Sequence, residues 1–577
     1  MPIAPITKTS SQVRFWFSLS LTFAVIYGLL GLRPAFSGEY VVQDDARQHV
    51  FWMQRFLDSA LFPKDLIADY FQSVAPAGYT AIYQMMAGRG INPLLVNKLL
   101  PTVLGLITSG YCFGVCLELL PVPTAGFIAT LLLNQSLWMK DDLVSATPRA
   151  FVYPLFLAFL YYLLRRSLLP VCIAIALLGL FYPHFVLIAA IILILQLLRW
   201  DRGLPRLSRN RSDYLFCAVG LGVALLVLLP FALVASEFGP TITAAEARKL
   251  PEFLPGGRSA FFYDDPWRFW LSASRSGLLP SIKPPLLAVG FLLPVILQYP
   301  SLFPLAQRVN SIAILLTVVV ASLLMFFAAH ALLFKLHLPN RYSEHSLRIV
   351  LAIAAGITLI VICNALWHAC KQRLPSLQGR QLLALASVAL IGAALILYPS
   401  FEKNFPNTKY QVGNFPLLYQ FFQEQPKDSL IASLSGEADN LPTFSQRSIL
   451  VGREYAIPYH VGYYRQFRQR MLDLIRAQYN SDLTAVQTLI QKYGVDFWLL
   501  DREAFTPEYI ANNSWLKQYQ PASAEALTSL QQGIPALSAV MGRCSVFETQ
   551  GLVVLNAACI VKEEETGDRR QRAWRQE

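Results

Sequence analysis

The sequence predicts a polytopic α-helical membrane protein with a soluble α/β domain at its C-terminal end. Three observations carry that prediction. About eleven apolar runs, each near the length that crosses a bilayer as a helix, fill residues 14–398. Lysine and arginine collect in alternate connections between those runs. From about residue 400 the composition turns polar, and short β-type runs replace the long apolar ones. The chain has 577 residues, 55% hydrophobic and 15% charged, with mean hydropathy +0.43, which excludes one soluble domain.

The apolar runs fall at roughly 14–35, 94–117, 121–139, 148–164, 167–183, 184–200, 214–235, 285–305, 310–334, 347–370 and 381–398. The first is too long for a secretory signal, lacks a small-residue cleavage site and is followed by further runs, so it reads as a helix. Net charge +12 could suggest nucleic acid, but its placement argues for orientation. Lys8 and Arg14 precede the first run. Arg165 and Arg166, then Arg199, Arg202, Arg206, Arg209 and Arg211, then Arg308, then Lys371, Arg373 and Arg380 mark the inner connections. Counting runs from the N-terminus puts all of these on one side. It leaves 36–93, 140–147, 236–284, 335–346 and everything beyond 400 on the other.

Residues 1–399 therefore form the expected membrane domain, 400–561 the outer α/β domain and 562–577 a charged tail. Within the outer domain "SLIASLS", "SILVG", "DFWLL" and "GLVVLNA" read as strands, and "DLTAVQTLIQKYG" as a helix. Cys112, Cys116, Cys172, Cys217, Cys363 and Cys370 lie in the apolar runs, where small apolar packing is the default. Cys544 and Cys559 flank a hairpin whose turn lies at 549–551. Its fold sets them nearly opposite each other, so either a disulfide or two free thiols fits.

One stretch stands out. "GEYVVQDDARQHVFWMQRFLD", residues 38–58, places Asp44 and Asp45 side by side just after the first run. Ala46, Val50, Met53 and Leu57 give one face of an amphipathic helix, and Asp45 with Gln48 matches a capping box. Asp45 thus has a structural role open to it, whereas Asp44 has no such partner implied.

An acidic pair in a long first outer loop, about eleven spans and a soluble C-terminal domain on the same side resemble the GT-C superfamily of membrane glycosyltransferases. The resemblance implies transfer of a sugar from a polyprenyl-phosphate carrier to a glycan, lipid or protein acceptor at the outer face, with inversion and an aspartate base. Asp44 is the favoured base and Asp45 its partner. Direct displacement needs one base within reach of the acceptor proton, and a neighbouring carboxylate would raise the pKa of one of the two. Arg341 in "LPNRYSEHSLR" offers a fork suited to phosphate oxygens, with Asn340 beside it. Arg149 in "MKDDLVSATPRAFVYP" is costly near the start of an apolar run unless it is paired or functional. Asp141 and Asp142 in that loop are the candidates for a divalent metal such as Mg or Mn, and His184 in "FYPHF" for acceptor or phosphate contact. The alternatives are a snorkelling anchor for Arg341, a salt bridge for Arg149 and a satisfied turn histidine for His184. A transporter or lipid flippase should carry charges in mid-span, and these runs are almost free of them. A non-catalytic envelope assembly protein stays open. No P-loop, dinucleotide or nucleophile-elbow fingerprint occurs. Membrane lipid is an expected partner and nucleic acid is not. A bacterial inner membrane with a periplasmic site is the expected location.

Overall fold

A computed structural model describes residues 10–201, 204–233, 236–372 and 377–563. Lys8, Arg202, Arg373 and most of the charged tail lie outside the described residues. The N-terminal part is a bundle of apolar helices, and the sequence reason is composition: their faces are apolar all round, so each finds either another helix or lipid.

Five helices are long and apolar enough to cross a membrane: Ser10–Ala35, Pro93–Leu119, Arg211–Phe231, Ala313–Ala331 and Asn340–His368. Shorter apolar helices occur at Pro148–Leu164, Leu168–Phe181, His184–Leu195, Pro285–Ile296 and Ala386–Phe401. A 16-residue helix, Pro123–Trp138, completes the set. Every predicted run therefore contains helix, but several helices end early. The run expected over 285–305 departs most. It is 3-10 over Pro285–Leu292 and α-helical only over Leu293–Ile296. Pro285 and Pro294 withhold backbone N–H groups there, and the two pieces together rise roughly 22 Å, short of the roughly 30 Å hydrocarbon core.

The helix Asn340–Gln372 is the hub, packed against Pro123–Trp138, Ala313–Ala331 and the 3-10 segment. Its crossing with Pro123–Trp138 depends on Gly356, where a Cβ would come within 2.7 Å of the Ala129 backbone nitrogen. Small residues permit such close backbone approach in lipid, where packing replaces the hydrophobic drive. Leu225, Leu226 and Leu229 on the Arg211–Leu233 helix remain exposed, as lipid-facing side chains would be.

Strand β1 (Val41–Gln43) follows the first helix. An antiparallel pair, β2 (Leu198–Asp201) and β3 (Leu204–Leu207), lies between helices at the other end of the bundle. There Arg166 pairs with Asp213. After the last apolar helix, β4 (Tyr410–Val412) returns to pair antiparallel with β1. The chain then builds a five-stranded sheet in the order β6-β5-β7-β9-β8 from β5 (Leu430–Ser433), β6 (Ser448–Ile449), β7 (Phe497–Asp501), β8 (Ser545–Glu548) and β9 (Leu552–Asn556). β5 runs parallel to β6 and β7, and β9 antiparallel to β7 and β8. The predicted β-type runs are these strands. "DLTAVQTLIQKYG" is the helix Leu483–Tyr493, capped by the Asp482 carboxylate on Thr484 N–H and ended by Gly494 at φ +69°. Cys544 and Cys559 are joined, with Cα atoms 5.5 Å apart, across the β8–β9 hairpin. Cys112, Cys116 and Cys217 pack as buried thiols, and the Cys370 side chain lies outside the described residues.

The segments expected on the outer side meet at one end of the bundle. β1 pairs with β4, and Asn407 N–H donates to Trp138 C=O at 2.8 Å. Thr241 bridges to His460, and Asn340 N–H donates to Arg275 C=O. Charge counting and chain geometry thus group the same segments.

Candidate active site

The acidic pair sits where β1 gives way to a short helix, Ala46–His49, and then to the 3-10 turn Phe51–Phe56. Ala46, Val50 and Met53 are buried as the periodicity predicts, while Leu57 is exposed. The predicted capping box does not form. Asp45 has φ −69° and ψ −21°, already helical, so its carboxylate cannot turn back onto the first N–H groups and makes no cap bond. It reaches Arg149 instead.

Arg149 is the centre of the acidic groups. It pairs with Asp45 and approaches Asp141 at 3.4 Å and Asp142 at 3.6 Å. The salt-bridge alternative for Arg149 is therefore the arrangement seen. Burial pushes the Asp45 carboxyl up, but Arg149, with His49, Arg258 and Arg341, outweighs it and holds Asp45 below the usual carboxylate range. For Asp45 the nearby cations thus outweigh burial. Burial lowers His49 to about 4, so that imidazole is neutral near pH 7.

Asp142 is buried and bound elsewhere as well. Its Oδ2 accepts from Arg348 Nη1 at 2.7 Å and from the Tyr153 hydroxyl at 3.3 Å. Burial pushes this carboxyl up, and Arg348 then Arg149 pull it well below the usual range. Arg348 is fully buried and also donates to Glu344 at 3.0 Å. Lys140 pairs with Glu344 too. Asp141 faces Lys409 at 3.6 Å. The metal candidates Asp141 and Asp142 are paired with cations of the protein here. Their oxygens do not converge with a third acidic or histidine ligand. Among the described residues the one set close enough to hold an ion is Cys544, Cys559 and Glu563, of which the cysteines are joined to each other.

Arg341 lies on the first turn of the Asn340–Gln372 helix, so the outer loop is shorter than expected. Its nearest carboxylate is Glu344 at 3.9 Å, which leaves the guanidinium largely uncommitted. Asn340 donates to Ser274 C=O and to Glu344 Oε2, fixing the 236–284 segment to this helix. His184 stacks on His337 with ring centroids 4.8 Å apart, and its buried Nδ1 has no hydrogen-bond partner among the described residues. A satisfied turn histidine is thus not what the structure shows.

Asp44 faces the C-terminal domain. It pairs with Arg47, whose guanidinium also donates to Asn440 Oδ1 at 3.1 Å and lies 3.6 Å from Glu454 Oε2. Glu454 accepts from Gln48 and from Arg258 of the 236–284 segment. The acidic pair is therefore divided: Asp45 turns to the helix-bundle cations and Asp44 to the C-terminal domain.

The sequence reading gave no site role to Arg47, Arg258, Arg348 or Glu454, although Glu454 stands out with Arg453 and His460 in the tyrosine-rich stretch 444–464. Arg348 had a signal, since Asn340, Glu344 and Arg348 recur every four residues and so share one helix face. Arg47, three residues after Asp44, had a weaker one. Nothing in the sequence pairs Arg258 with Glu454, because they meet only through tertiary folding.

No sequence-family model matches the chain, and no curated protein sequence does. Solved structures do match in shape. An Archaeoglobus fulgidus oligosaccharyltransferase tethered to an acceptor peptide superposes with TM-score 0.53 at 13% identity, covering 89% of this chain and 72% of the other. The same organism's oligosaccharyltransferase AglB, in complex with an inhibitory peptide and a dolichol-phosphate, gives TM-score 0.52 at 13% identity, covering 88% and 72%. The chain shares its fold with these two proteins. A bundle of apolar helices with an acidic loop after its first helix, and with the chain beyond residue 400 packed on the same end, is the observed architecture.

Proposed function

We propose that this protein transfers a sugar from a polyprenyl-phosphate carrier to an acceptor at the outer face of the membrane, with inversion and Asp44 as base. The observation that carries the reading is the division of the acidic pair at the pole of a GT-C fold. On one side of it lie Arg149 and the largely uncommitted Arg341, with His184 and Asn340, suited to a phosphate ester. On the other side Asp44, about one-third exposed, opens toward the C-terminal domain, where an acceptor hydroxyl or amide would enter. A solved neighbour's complex with dolichol-phosphate fits a donor of this class.

In this mechanism Arg341 and Arg149 orient the donor phosphate and stabilise the charge that grows on it as the glycosyl bond breaks. Asp44 accepts the proton of the attacking group, which displaces the phosphate from the opposite face of the anomeric carbon. Asp45 keeps Arg149 oriented. About eleven membrane-spanning segments, a soluble outer domain from about residue 400, and a periplasmic site in a bacterial inner membrane complete the reading.

The test is transfer from labelled polyprenyl-phosphate sugars by membranes containing wild type or Asp44→Asn. The substitution keeps shape and removes the basic oxygen, so transfer should vanish while expression and thermal stability persist. Near-normal turnover by the variant would sink the assignment of the base.

A further inference from the structure

The C-terminal domain meets the favoured base through one cation, Arg47, besides the Lys409 carbonyl that accepts from Asp44 N–H. Three groups share its guanidinium: Asp44 from the same outer loop, and Asn440 and Glu454 from the C-terminal domain. Arg47 is buried, and burial disfavours its charge less than Glu454, Asp44 and Asp439 together favour it. Glu454 is itself held by Gln48 and Arg258, and its backbone N–H donates to Asp439 Oδ1 at 3.0 Å. Asn440 is held by its Nδ2 donating to Glu437 Oε1 at 3.0 Å. Both C-terminal partners of Arg47 are therefore fixed from behind.

We propose that Glu454 and Asn440 are positioning residues for the transfer: they hold Arg47, and through it they set the direction and basicity of Asp44. This rests on the assignment of Asp44 as base. The physical ground is that a cation bound to one carboxylate alone weakens it as a base, whereas a cation shared with a second carboxylate weakens it less. Glu454 takes part of Arg47's charge and leaves Asp44 the better proton acceptor. It approaches the same Nη2 that pairs with Asp44 while Asn440 holds Nη1, so the guanidinium, and with it the carboxylate, keeps one orientation. The C-terminal domain then belongs to the catalytic unit as well as to the wall of the site.

The groups facing this centre are Asp44, Asp45, Arg47, Arg258, Glu437, Asp439, Glu454 and Tyr455. Glutamine in place of Glu454 removes the charge that bears on Arg47 and keeps the side chain's shape. In Glu454→Gln, Arg47's full charge falls on Asp44. The turnover rate should fall on the order of tenfold, and the acid limb of the pH–rate profile should move to lower pH, with the donor KM changed less than twofold. Glu454→Asp, which keeps the charge, should recover most of the lost rate.

The experiment uses the full-length protein in membranes, a panel of radiolabelled polyprenyl-phosphate monosaccharides, and thermal unfolding of each variant. A lowered rate with a shifted acid limb and recovery by Glu454→Asp supports the proposal. An unshifted profile overturns it, whether the rate is unchanged or falls together with thermal stability, because the contact is then structural only. If wild type transfers and Asp44→Asn does not, while Glu454→Gln equals wild type, the inference alone fails. If wild type transfers from no member of the panel, the proposed function fails and the inference falls with it.

Discussion

Replacing Asp439 by asparagine should stabilise the protein in a pH-dependent way. Asp439 lies on the 3-10 turn Gly436–Asn440 and is 8% exposed. Burial first, and repulsion from Glu454 second, push its carboxyl up from 3.8 to about 7, against the pull of Arg47 and Arg258. Folding therefore raises its proton affinity. Its contribution to stability is full below about pH 4 and is lost as pH rises through about 7. A shift of about three pKa units corresponds to roughly 4 kcal/mol by pH 8, an upper figure. Asparagine keeps an Oδ1 to accept the Glu454 N–H and carries no charge to bury. The stability gap between Asp439→Asn and wild type should thus widen from pH 4 to pH 8 and then level off. With about 2–4 °C per kcal/mol for a unit of 150–250 residues, the shift in Tm is several degrees. Thermal unfolding of the purified protein in detergent at pH 4, 6 and 8 measures it. A gap that is the same at all three values refutes a buried carboxyl that gains its charge in this range.

Arg341→Lys should raise the donor KM severalfold while keeping charge, because an ammonium cannot make the forked phosphate contact; equal donor KM values would reduce Arg341 to an interfacial anchor. Arg348→Met should cost roughly 3–5 kcal/mol, since it leaves Asp142 buried with a lost partner, and adding Asp142→Asn should return part of that stability. A double variant no more stable than Arg348→Met in thermal unfolding would contradict the pairing. Alkylation of intact cells should leave Cys544 and Cys559 unmodified until a reductant is added. Full labelling of both without reductant would argue against the bond and against an oxidising outer side.

The sequence alone determined the layout. Apolar run length set where helices form, because each backbone polar group in lipid must be satisfied within its own helix. Alternation of arginine and lysine predicted which connections share a side, and the structure gathers the predicted outer ones at one end of the bundle. β-type runs and the pattern of "DLTAVQTLIQKYG" located the C-terminal strands and helix, since these depend on local dihedrals and neighbours in sequence. The hairpin register even brought Cys544 opposite Cys559. Tertiary structure decided what each charge faces. Whether Asp45 caps a helix or meets Arg149 turned on one backbone dihedral pair and on a residue 104 positions away. That Asp44 reaches Arg47, and Arg47 reaches Asn440 and Glu454, depends on β4 returning to pair with β1 and carrying the C-terminal domain over the site. Coulomb attraction depends on distance in space, and no local pattern in the chain encodes contacts across nearly four hundred residues.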